Sequence, residues 1–292
     1  MHYSSGQANR LGNRASNQDR CLLLSRDNAV LMVVADGMGG HARGDLAAQA
    51  FVDSLGRQFR ANITIKDPGQ FLCDAFRTAH QLIGRVGQTQ KPPIVPLTTA
   101  VACLIQDGVA QWAHVGDSRA YLIRQGHVTL RTRDHTRVAE LVETGVITEQ
   151  QARLHPLRNQ VSLCLGGHAA APPVSLGAKI TLQPDDIVLL CSDGLWSAVS
   201  EKRLTGMLAN AHLPRGLEAL VEAAEHASYP QSDNVSGVAL RWESGRDAQP
   251  GAPRADLATD NDNTIGSHDP VDRAIANVHQ ALADYAHEMQ KK

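Results

Sequence analysis

The sequence is short of aromatics: three Trp, four Tyr and four Phe make up 4% of its 292 residues. Its core must therefore be largely aliphatic, and at 42% the hydrophobic fraction is ordinary for a globular chain. The five cysteines (Cys21, Cys73, Cys103, Cys164, Cys191) are scattered, odd in number and without a CxxC pair. That excludes a disulfide framework and a thiolate zinc site, and it favours a reducing compartment. Charge of one sign is also missing: 28 Lys and Arg stand against 30 Asp and Glu, a net charge of −2. No clustered basic face for nucleic acid is indicated. No run approaches the ~20 apolar residues of a membrane helix. The opening MHYSSGQANRLGNR lacks the apolar stretch of a secretory signal. The expectation is a cytoplasmic protein with no membrane span. Neither a P-loop pattern nor a G-x-S-x-G elbow occurs.

What is present is a run of alternating element types. Residues 20–24 and 29–35 are apolar runs broken by Asp27-Asn28, which predicts a hairpin of buried strands. Residues 42–60 and 69–86 switch to helical spacing, with Leu46, Ala50, Phe51, Leu55 and Phe59 on one face of the first. From Thr99 to Leu130 strands return, separated by Asp107-Gly108, Gly116-Asp117-Ser118 and Gln125-Gly126, read as hairpin turns. Residues 136–154 form two short helical pieces around Gly145. Strands are predicted over 174–181, 186–191 and 235–241, and helices over 200–210 and 214–227. Consecutive hairpins imply antiparallel pairing. The helices must cover sheet faces to bury their apolar stripes. The predicted class is α+β: a two-layer antiparallel β-sandwich flanked on both sides by helix pairs.

After Arg241 the composition turns to Gly, Pro, Ala and Asp, so 1–243 reads as the folded domain and 244–268 as a disordered linker. Residues 269–292 begin with Asp269-Pro270, a helix-start signal. Val271, Ile275, Val278, Leu282, Tyr285 and Met289 then give a heptad seam. This segment either docks as an amphipathic helix on its own domain, binds a partner or a second copy, or forms no stable helix.

Three aspartates stand out by context. Asp36 and Asp193 each close an apolar run and precede a glycine; Asp233 and Asn234 sit directly before VSGVAL. Carboxylates at strand ends are rigidly held, and carboxylates brought together repel, so they call for a cation. All-oxygen ligation suits Mg²⁺ or Mn²⁺. Singly, each is also a common turn aspartate. GMGGHA at 37–42 matches a dinucleotide fingerprint, but Asp36 would repel a pyrophosphate, and the region ~20 residues on, where a ribose-binding acid belongs, is helical.

The motifs GNRASNQD (12–19), VVADGMGGH (33–41), LTTAV (97–101), HVGDSRAYL (114–122), TRDHT (132–136), LLCSDGLW (189–196) and SDNVSGVAL (232–240) occur in one order. With these, residues 1 to about 243 resemble the PPM family of metal-dependent phosphatases (protein phosphatase 2C-like), in its bacterial branch. The resemblance implies the same helix-flanked sandwich and hydrolysis of phosphoserine and phosphothreonine in proteins by a metal-activated water. It implies two core Mn²⁺ or Mg²⁺ ions and a third, weaker one. Asp36 would bridge the core pair, the Gly37 carbonyl would contact one ion, and Asp193 and Asp233 would hold the other. Asp19 would act through water, Asp117 at the third ion, and Arg14 on the substrate phosphate. Expected partners are phosphoprotein substrates and a serine/threonine kinase whose work the enzyme reverses. Two positions depart from the family pattern. Gln18 stands where Glu is frequent, removing an outer charge. Met38 stands where eukaryotic relatives carry a general-acid histidine, leaving His41 as the candidate acid. Residues 136–167 match a flap beside the site. The competing reading, a catalytically dead binding module, would need a lost ligand, and none is lost.

Overall fold

Strict alternation in one strand explains the layering. In Ala29–Met38, residues Ala29, Leu31, Val33 and Ala35 pack into one apolar cluster, and Val30, Met32 and Val34 into another. A strand buried on both faces must lie in the middle of a layered fold. The computed structural model describes residues 1–38, 43–167, 170–209 and 212–243. In chain order the elements are β1 (Tyr3–Arg10), β2 (Asp19–Arg26), β3 (Ala29–Met38), α1 (Gly44–Ala61), α2 (Pro68–Thr89), β4 (Leu97–Gln106), β5 (Val109–Val115), β6 (Arg119–Arg124) and β7 (His127–Arg131). Then follow α3 (Arg137–Glu143), α4 (Glu149–Leu154), β8 (Ser175–Leu176), β9 (Ile180–Thr181), β10 (Ile187–Cys191), α5 (Asp193–Trp196), α6 (Glu201–Leu208), α7 (Leu213–Ser228) and β11 (Val235–Trp242).

Two antiparallel sheets result, ordered β1-β11-β10-β6-β7 and β2-β3-β4-β5-β8, with β9 also on β5. Val30, Met32, Val34, Val101, Ile105, Leu122, Val188, Leu190, Val238 and Leu240 fill the space between them. Helices α1 and α2 cover the outer face of the second sheet through Phe51, Leu55, Leu72, Phe76 and Ile83. On the first sheet, α6 and α7 do the same through Leu204, Leu208, Leu217 and Leu220. Helix α2 starts where the sequence says it should: the Asp67 carboxylate accepts from the Gly69 and Gln70 amides, with Pro68 in the first turn. The expected α+β sandwich with helix pairs outside is therefore the fold.

Three local expectations change. Strand β1 went unpredicted; YSSGQANR carries no apolar alternation, and the segment is a strand because it pairs along its length with β11. Gly116-Asp117-Ser118 is not a hairpin turn. Strand β5 pairs β4 while β6 pairs β10 and β7, so these residues carry the chain from one sheet to the other. Asp36 does not end its strand, since β3 continues to Met38. His41, the linker 244–268 and the helix 269–292 lie outside the described residues.

Candidate functional site

At one end of the sandwich the inter-sheet stripe changes chemistry. Along β3, Val30, Met32 and Val34 face the opposite sheet, and the next residue in that alternation is Asp36. Directly across from it stand Asp19 at the start of β2 and Thr99 of β4. Ser192, just beyond β10, donates its hydroxyl to Asp19 Oδ2 at 2.7 Å. The Thr99 and Ser118 hydroxyls are 2.7 Å apart. Each strand thus continues its inward stripe with a polar residue once it leaves the apolar centre.

Above this layer opens a cavity of about 320 Å³ whose lining includes Arg14, Gly37, Asp36, Asp117, Asp193 and Asp233. Asp193 is the first residue of α5, Asp233 precedes β11, and Asp117 sits in the crossing between sheets. Four segments (β3, the crossing at 116–118, the start of α5 and the approach to β11) therefore deliver carboxylates to one place. The two Asp-Gly pairs owe their glycines to close approach rather than to turning. A side chain on Gly37 would strike the Gly44 carbonyl at the start of α1, and one on Gly194 would strike the Asn234 carbonyl.

The electrostatics follow from burial and crowding. Asp36 is pushed well above the usual carboxylate range, first by burial and then by repulsion from Asp19, Asp193, Asp117 and Asp233. Burial, with repulsion from Asp193 and Asp233, lifts Asp19 to about 7 despite the Ser192 hydrogen bond. Asp117 is raised to about 7 by burial and then Asp193. Asp193 rises to about 6 through burial and Asp233, offset by its side-chain hydrogen bond with Asp36. Among the described lining residues Arg14 is the one cation, and its Nη2 lies 2.6 Å from Asp233 Oδ2. One half-exposed guanidinium does not balance this many carboxylates, and the deficit is of positive charge.

The donor set is all oxygen, which fits Mg²⁺ or Mn²⁺. Among the described residues no three His, Cys, Asp or Glu side chains close a ready-made cage around one ion. An open, carboxylate-lined cavity instead suits hard ions that keep several of their own waters.

The sequence profile of protein phosphatase 2C matches residues 7–228. This chain belongs to the protein phosphatase 2C family. A putative protein phosphatase 2C-type of Streptococcus pyogenes is 34% identical over 200 residues, covering 68% of this chain and 80% of that protein. The serine/threonine protein phosphatase PstP of Mycobacterium tuberculosis is 33% identical over 229 residues, 77% of this chain but 42% of that protein. The chain thus matches under half the length of that relative. The solved catalytic domain of a serine/threonine protein phosphatase PstP, in complex with two manganese ions, matches with a TM-score of 0.68 at 28% identity. That match covers 83% of this chain and 99% of the solved one.

Within this phosphatase fold, six of the sequence-derived candidates (Arg14, Asp36, Gly37, Asp117, Asp193 and Asp233) line one cavity. Asp19 lies just beneath, 3% exposed. Gln18 acts through its backbone, donating to Asn234 Oδ1 at 2.8 Å and accepting from the Gly37 amide at 3.2 Å. Sequence reasoning gave Asn234 no role. Its amide donates to the Leu11 and Ser16 carbonyls, so it fastens the loop carrying Arg14 to the segment carrying Asp233. Its place beside Asp233 was the only signal. Ser192 was equally silent, because a serine before Asp-Gly is common.

Proposed function

We propose that this chain hydrolyses phosphoserine and phosphothreonine esters in proteins, with divalent ions held at the carboxylate end of the sandwich. The observation that carries the reading is the convergence of buried, mutually repelling carboxylates on a cavity where, among the described residues, Arg14 is the one lining cation. We assign Asp36, Asp193, Asp233 and the Gly37 carbonyl to two Mn²⁺ or Mg²⁺ ions, Asp19 to a supporting role through water, and Asp117 to a third, weaker ion. When bound, such ions make a water nucleophilic near neutral pH.

The protein's own residues do the rest. Arg14 presents a planar fork to the phosphoryl oxygens, exchanging its contact with Asp233 for the substrate. Asp19, fixed by Ser192, keeps the cavity floor polar and negative. Protonation of the departing serine or threonine oxygen is assigned to the His41 imidazole. No cysteine serves as nucleophile in this scheme: Cys103 lies in the inter-sheet layer with its thiol pushed up to about 12 by burial.

Phosphoproteins are the proposed substrates, a serine/threonine kinase the proposed opponent, and the cytoplasm the proposed site of action. No helix among the described residues is long and apolar enough to cross a membrane. Residues 244–292 are proposed to be a linker and a helix that addresses the enzyme to a partner. Truncation after Glu243 should then leave small-substrate turnover intact and change assembly. A binding module without chemistry is disfavoured because every proposed ligand position keeps its side chain. The deciding assay follows p-nitrophenyl phosphate and phosphoserine, phosphothreonine and phosphotyrosine peptides. Turnover should need Mn²⁺, stop with chelator, vanish in Asp193→Ala and favour the serine and threonine peptides. A folded, Mn²⁺-saturated protein without turnover overturns the reading.

A further inference from the structure

The turn that carries Asp117 has an unusual mechanical problem. Residues 116–118 cross between sheets, so neither ladder can satisfy their backbone groups, and something else must hold them. One residue satisfies both polar groups of Gly116. The His135 amide donates to the Gly116 carbonyl at 2.9 Å, and the Gly116 amide donates to His135 Nδ1 at 3.0 Å. Because Nδ1 accepts, the ring proton sits on Nε2, which donates to Ser175 Oγ at 2.8 Å. The ring is also stacked on His114, with centroids 4.6 Å apart and planes within 10°.

The far side of the turn is held from the same dipeptide. Asp134 grips Arg119 through two hydrogen bonds of 2.8 and 2.7 Å. Arg119 lies 3.5 Å over the Trp196 ring, and Trp196 Nε1 donates to the Asp117 carbonyl at 2.9 Å. Trp196 ends α5, the helix that begins with Asp193. The segment after α4, part of the stretch that resembles a flap, meets this dipeptide too. The Ser162 amide donates to the His135 carbonyl at 2.8 Å, and Thr136 bridges to Val161, which lines the cavity.

We infer that His135 is a positioning residue: its Nδ1, accepting from Gly116, fixes where the Asp117 carboxylate meets the cavity and ties that carboxylate to the root of the flap. The inference rests on the proposed metal-dependent function and concerns the weaker ion assigned to Asp117. A space-filling role would make ring size the requirement. A positioning role makes the acceptor at Nδ1 the requirement, and two substitutions separate the two. In His135→Asn the side-chain oxygen overlays Nδ1 and keeps the Gly116 contact. In His135→Gln the polar group reaches toward Ser175, and the larger side chain gives up Gly116.

The experiment measures Mn²⁺ binding to the full chain by calorimetry, with Mn²⁺-dependent turnover alongside. His135→Gln should weaken the Asp117-dependent Mn²⁺ binding by about tenfold, as loss of an outer-shell partner does, while His135→Asn stays near wild type. Adding His135→Gln to Asp117→Ala should cost nothing more, because both changes remove one function. Thermal unfolding checks that each variant is folded. If His135→Gln does not fold, Trp196→Phe replaces it, removing the donor to the Asp117 carbonyl together with part of the ring beneath Arg119, with a smaller weakening expected. Equal behaviour of Asn and Gln overturns the inference. So does an additive loss on the Asp117→Ala background, or Mn²⁺ binding that ignores Asp117. Wild-type protein that binds Mn²⁺ without turnover would count against the parent function and leave this test readable from the heats alone.

Discussion

The middle of the inter-sheet layer and its open end are built on the same strands by the same alternation, yet they do opposite things. In the middle, Val30, Met32, Val34, Val101, Val188 and Leu190 are fully buried and apolar, and their packing holds the two sheets together. Two residues further along β3, the same inward position is Asp36. There burial no longer stabilises; it forces carboxylates against one another and raises their proton affinity. The lesson is that the site is a continuation of the core in which stability has been given up for chemistry.

Substitutions at the two regions should therefore move stability and activity in opposite senses. The largest effect is expected for Asp36→Asn. Turnover should fall by about 10³-fold, since a carboxylate proposed to hold the ions is lost. The metal-free protein should nevertheless unfold at a higher temperature, because a crowded buried charge has gone. Lower thermal stability in chelator would break the comparison. In the middle, Met32→Ala should cost about 2–5 kcal/mol in urea unfolding through the cavity it leaves, with Mn²⁺ dependence unchanged in the folded fraction. Arg14→Ala should lower kcat/KM by about 10²-fold, with Arg14→Lys recovering part of the loss, because lysine supplies charge without the fork.

The smallest effect is the pH dependence of the metal-free fold. Asp19 and Asp117 are raised to about 7 and Asp193 to about 6, against about 3.9 for a free aspartate. Between these values the folded state binds more protons than the unfolded one. The stability these groups contribute is therefore fully present below about pH 4 and is lost as pH rises through 7. In chelator the unfolding midpoint should drop from pH 5 to pH 8, and Mn²⁺, which takes the place of the protons, should flatten or reverse that slope. A slope unaffected by Mn²⁺ would mean that the titrating groups lie elsewhere.

Much of the fold was legible because β3, β4 and β10 are apolar on both faces, while α1, α2 and α7 carry one apolar stripe each. Strand β1 was not legible. YSSGQANR has no such pattern, and Gly6 lies where Pro214 of α7 packs against it, a contact made across more than 200 residues. The crossing at 116–118 was misread because glycine, aspartate and serine serve a hairpin turn and a change of sheet equally well. In the site, Asp36, Asp193 and Asp233 were found from their positions beside apolar runs. Asp19, Asp117 and Arg14 came from the ordered motifs. Asn234 and His135 act through hydrogen bonds to backbone elsewhere in the chain, and Ser192 through one to the Asp19 carboxylate, which no local pattern records.

By itself the sequence determined which stretches are buried, in what order strands and helices follow, and which carboxylates stand beside the buried strands. These depend on periodicity and local chemistry, which are read within a few residues. Only the tertiary structure decided that β5 and β6 part into different sheets, that Asp19 and Asp36 face each other, and that one histidine holds the turn beneath Asp117. Those facts depend on pairing between residues far apart in the chain, and pairing is settled when the two sheets close over their shared core.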